Sequence, residues 1–116
     1  MAGNLPEQNI DYYAIYEGHI SMQSGDKTVR VVKGGESTGE KLSPSNNLEN
    51  TGNSFSWGRR NTEGLTTAKT ILKDVYNEEV AEEYGREFLE NFIAKELREA
   101  EEWRLKARNI PHYLNT

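Results

Sequence analysis

Asn77-Glu78-Glu79-Val80-Ala81-Glu82-Glu83-Tyr84-Gly85-Arg86-Glu87-Phe88-Leu89-Glu90-Asn91-Phe92-Ile93-Ala94-Lys95-Glu96-Leu97 carries the clearest pattern in the chain. Val80, Ala81, Tyr84, Phe88, Leu89, Phe92, Ile93 and Leu97 recur at the three- and four-residue spacing of one helix face, with glutamates opposite. Upstream, Leu65, Ala68, Ile71, Leu72 and Val75 make a similar stripe, which predicts a first helix. Thr62 or Asn61 is its N-cap, and Glu63 puts an anion in the first turn, where the helix dipole favours one. Asn77 is the hinge or cap between the two helices.

Beyond Leu97 the stripe thins but continues through Ala100, Trp103 and Ala107. An unbroken helix from Glu78 to Arg108 would be about 45 Å long, more than so small a domain covers. Either it breaks near Arg98, or its end projects and packs on a second copy. The second case makes Trp103 and Leu105 interface residues and the protein a homodimer or higher homo-oligomer. Ile110-Pro111 ends the helix.

Toward the N-terminus the composition turns aromatic and β-branched. Asp11 to Glu17 reads as a strand buried on both faces, and Thr28 to Lys33 as its hairpin partner across the turn residues Ser24-Gly25-Asp26. Lys41-Leu42 suggests a short third strand. Ser43 to Asn53 is an irregular loop, with Leu48 as an anchor. Ser54 to Trp57 alternates polar and aromatic, which predicts a last strand with Phe55 and Trp57 facing inward. The expected class is therefore α+β: an N-terminal antiparallel sheet of three to four strands followed by two C-terminal helices, the second long. Residues 1–10 are expected to be a flexible N-terminus, 11–108 a single domain, and 109–116 a C-terminal tail.

The chain has 116 residues, 34% of them hydrophobic, with net charge -5 and no cysteine; its mean hydropathy is -0.86. One domain is expected, in a reducing, cytoplasmic setting, with no signal peptide and no membrane span. The acidic balance argues against duplex nucleic acid as a partner. With two histidines and no thiols, no metal site is expected. The sequence has no phosphate loop, dinucleotide fingerprint or nucleophile elbow. No cofactor and no catalytic residue is expected, and the acidic helix face reads as solvated rather than as acid–base machinery.

One segment carries some chemistry. Trp57-Gly58-Arg59-Arg60-Asn61-Thr62 runs from the expected strand end into the helix start, where backbone N–H groups are unpaired and favour an anion. Arg59 and Arg60 supply fork-shaped donors suited to phosphate. Trp57 offers a ring for stacking, although its alternation places it in the core, and the basic C-terminal patch of Arg104, Lys106 and Arg108 is expected to assist. The plainer reading is a capped helix after a tight turn, with solvated arginines. Both stand at this point.

Phe55-x-Trp57-Gly58, a polar loop, Leu65-x-x-Ala68-x-x-Ile71-Leu72-x-Asp74 and Tyr84-x-x-Phe88 together resemble a small domain family of unknown function found in bacteria, archaea and phages. The resemblance spans roughly Tyr12 to Leu97. It departs in the loop, where Arg59 to Thr62 replace the glycines and proline typical of relatives. It implies the fold and a phage or mobile-element origin, and it assigns no catalytic residue. The functional expectation is a non-enzymatic binding protein, in the host cytoplasm if phage-encoded, that sequesters a phosphate-bearing molecule or nucleotide signal to blunt a host defence. The alternative is a protein inhibitor or scaffold acting through the long acidic helix.

Overall fold

The computed structural model describes residues 5–10, 12–34, 39–98 and 100–114. Strands β1 (Ile15–Ile20), β2 (Lys27–Val32), β3 (Glu40–Lys41) and β4 (Glu102–Lys106) form one antiparallel sheet in the order β3-β2-β1-β4. Helices α1 (Thr62–Val75) and α2 (Glu78–Phe88) form an antiparallel hairpin hinged at Tyr76-Asn77, and a short α3 (Ile110–Leu114) follows β4. The class is α+β, with three α-helices among the described residues rather than two.

Asn61 and Asn77 cap α1 and α2, their side chains accepting from the N–H groups of Gly64 and Val80. Each meets one of the orphan donors of a helix start. The hairpin of β1 and β2 pairs Gly18 with Val29 and Tyr16 with Val31, so these four share one buried face. The opposite face of β1 carries half-buried Glu17 and exposed His19, so the strand is covered on one side and not on both.

The largest departure lies after α2. The helix gives way to a π-helical turn, Leu89–Ile93, and then to a turn that ends at Arg98 with φ 51°. That left-handed value cannot continue a right-handed helix. The chain then returns as β4 alongside β1, and the long helix of the sequence reading does not exist. Trp103 and Leu105 are consequently not on a projecting end. They pair with Gly18 and Tyr16 and are buried at 7% and 3% exposure in the protein's own core, so the interface expected of them is withdrawn. Gly18 makes this seating work, because a Cβ there would sit 2.1 Å from the Trp103 indole.

Ser54–Trp57 is the second departure. Phe55, Ser56 and Trp57 are buried but make no strand; instead, side chains of α1 serve the backbone of this loop. Thr67 accepts from Ser56 N–H and donates to Ser56 C=O; Thr66 accepts from Gly52 N–H and Thr70 from Ser45 N–H. A row of buried hydroxyls thus takes the place of a neighbouring strand and satisfies polar groups that would be costly unpaired.

The domain's edges are also more structured than the sequence suggests. Ile110 and Leu114, in the expected tail, are buried. Within the expected flexible start, Asn9 N–H donates to Val75 C=O and the Gln8 side chain donates to Ala107 C=O. Among the described residues, no helix is long and apolar enough to cross a membrane.

Candidate functional site

The antiparallel hairpin brings the end of α2 to the start of α1, and a concavity of about 490 Å³ lies between them. Asn50, Arg60, Asn61, Thr62, Arg86 and Glu90 give it polar walls, and Leu65 and Leu89 also line it. Its size falls within the range of small-molecule sites. Arg60 and Arg86 are exposed and form no salt bridge among the described residues. The N–H groups of Thr62 and Glu63 have no intrahelical acceptor, as at any helix start. Two guanidiniums and a helix N-terminus thus face one space, against the single carboxylate of Glu90. The balance favours a small anion.

The other expected site residues scatter. Trp57 is 1% exposed, its Nε1 donates to Ala100 C=O at 2.7 Å, and its ring meets Trp103 edge-on at 5.4 Å. It is a core residue and offers no face to a ligand. Gly58 has φ 86°, a left-handed value that glycine adopts without strain, and its N–H donates to Ile93 C=O. Gly58 and Arg59 line a separate, more open depression with Leu97, Arg98 and Ala100. Arg104 lies on the exposed face of the sheet, paired with Glu17 at 2.9 Å. Arg108 sits over the rings of Tyr12 and Tyr13. The structure therefore brings Arg60, Asn61 and Thr62 together, and it gathers neither Arg59 nor the C-terminal basic residues with them.

Arg86 is the member that sequence reasoning missed. The hinge at Asn77 folds the end of α2 back toward the start of α1 and brings Arg86 there, which the helix stripes alone do not show. Asn61 is partly committed, since its Oδ1 accepts from Gly64 N–H at 2.7 Å, but its amide nitrogen is not used by the cap.

A buried cation lies elsewhere on α1. Lys69, 4% exposed, donates to Glu82 and to Glu49 C=O at 2.7 Å. Glu82 also accepts from Glu49 N–H at 2.9 Å. The Lys69 ammonium, helped by the Glu49 amide, holds the Glu82 carboxyl below the usual carboxylate range. Burial, then the hydrogen bond to Asp74, pushes the Tyr16 hydroxyl up. These groups tie loops and strands to α1 and present no reactive face.

No curated protein and no solved structure matches the chain. The profile of DUF6166, described as a family of unknown function, matches residues 16–116, from β1 through α3, and the chain belongs to that family.

Proposed function

We propose that this chain is a non-enzymatic binding protein of phage or mobile-element type. It takes a phosphate-bearing small molecule, a nucleotide signal among them, in the concavity between the start of α1 and the end of α2. Sequestering such a signal in the host cytoplasm would blunt a defence that depends on it. One observation carries the reading: Arg60 and Arg86, neither in a salt bridge among the described residues, face one concavity at a helix N-terminus. The expected reading that a long acidic helix docks a partner loses its motive, because α2 stops at Phe88.

Thermal shift and calorimetry with inorganic phosphate, mononucleotides and cyclic dinucleotides test the proposal. A ligand that binds the folded state alone raises the melting temperature with its concentration. Arg60→Ala and Arg86→Ala are each expected to weaken binding about tenfold or more. No shift with any of these compounds at millimolar concentration overturns the reading.

A further inference from the structure

β4 is an edge strand, and its hydrogen-bond pattern shows which groups face outward. Ala107 N–H donates to Ala14 C=O and Ile20 N–H donates to Glu101 C=O. In an antiparallel ladder this phase turns the backbone of Trp103 and Leu105 toward β1 and that of Glu102, Arg104 and Lys106 away from it. The outward N–H and C=O groups of Glu102 and Arg104 have no partner among the described residues, whereas Lys106 already starts the 3-10 turn of Ala107–Asn109. The side chains of Glu102, Arg104 and Lys106 are exposed on the uncovered face of the sheet.

We propose that this edge pairs with the same edge of a second copy of the chain, antiparallel, about a two-fold axis through Trp103. Charge selects the occupant and the register. Across the uncovered face, Arg30, Glu17 and Arg104 stand in one cross-strand row, and His19 pairs with Glu102 in the next, at 3.2 Å. With the axis at Trp103, Glu102 of each copy falls opposite the partner's Arg104. The two rows then join into one whose charges alternate from Arg30 through Glu17 and Arg104 to the partner's Glu102, which meets the partner's His19. Opposite charges directly across a strand pair stabilise it. Sliding the register by one hydrogen-bonded pair would place two Arg104 side chains face to face on the axis. Unpaired edges invite this mode of addition. The proposal replaces the expected helix interface with a strand and is independent of the anion site.

Two measurements decide it. Sedimentation over roughly 1 µM to 1 mM should show a monomer–dimer equilibrium. In it, the amides of Glu102 and Arg104 should gain hydrogen-exchange protection with concentration, while those of Trp103 and Leu105 stay protected throughout. Glu102→Arg and Arg104→Glu each set like charges across the axis and should be monomeric alone. Mixed together they restore both opposite pairs and should form a heterodimer. A wild type that stays monomeric overturns the proposal, as does a dimer whose Glu102 and Arg104 amides exchange freely. Dimers of either single variant as tight as wild type, or folded variants that fail to associate on mixing, overturn it equally. If a variant does not fold, the exchange pattern of the wild type still decides.

Discussion

Two places on the same helix hairpin hold cations in opposite ways. At Lys69 the ammonium is buried, and two oxygens, one charged, close around it. At Arg60 and Arg86 the guanidiniums are exposed around an open space. The first arrangement is structural. Loop 43–58 is drawn onto α1 because Lys69 and its buried threonine neighbours meet backbone groups that the loop cannot satisfy for itself. The second costs the fold nothing to leave open. A satisfied cation marks architecture, and the two exposed arginines line the concavity proposed above to take an anion.

Breaking the buried arrangement should give the largest effect. Glu82→Ala strands the Lys69 ammonium on one carbonyl. Because Glu82 is about a third exposed, water offsets part of the full cost of an orphaned buried charge, and a loss of about 2 kcal/mol is expected in chemical denaturation. The Lys69 stem runs past Gly85; Lys69→Met keeps that stem and removes the charge itself, so it should cost less, about 1 kcal/mol. If the two costs are reversed, the pairing does not work as described.

Acid titration sharpens the same point. The folded carboxyl of Glu82 sits below its ordinary value, so the unfolded chain takes up its proton first as pH falls. Its contribution is whole above the ordinary glutamate value, about 4.3. It is lost as pH falls from there through the lowered folded value. Melting temperatures of the wild type and Glu82→Gln should therefore converge in acid.

The smallest effect on stability belongs to the open arrangement. Arg60→Ala and Arg86→Ala should each change stability by no more than about 0.5 kcal/mol, as surface substitutions do, while binding of a phosphate-bearing ligand falls. A large loss of stability would show that these arginines, like Lys69, serve the fold.

How much of this was legible in sequence depends on which local signal won. The two asparagine caps and the helical stripes were readable because spacing and side-chain chemistry agreed. β4 was not. Its inward residues, Trp103 and Leu105, alternate as a strand requires, but the flanking glutamates, arginines, lysine and alanines favour helix, and the stripe of α2 runs into them in phase. Tertiary pairing with β1 overrode that propensity. The reverse happened at Ser54 to Trp57, where alternation suggested a strand but the Thr67 hydroxyl supplies the pairing, at Ser56. Of the candidate site, Arg60, Asn61 and Thr62 were found from the helix start. Arg86 lay beyond reach until the hairpin was folded, and Trp57 faces inward as its place in the alternation suggested, which leaves no ring face for the stacking role also offered for it.

The indole lying flat on Gly18 has a consequence for how the molecule comes into being. The glycine and its cover lie far apart in the sequence, so a ribosome delivers the bare strip of β1 long before the ring that shelters it. The β1–β2 ribbon alone gains none of that protection. Closing so long a loop is slow relative to local helix formation, so the sheet is completed only after both α1 and α2 have been synthesised. Translation that stalls before Trp103 leaves a half-built sheet for the quality-control machinery to clear.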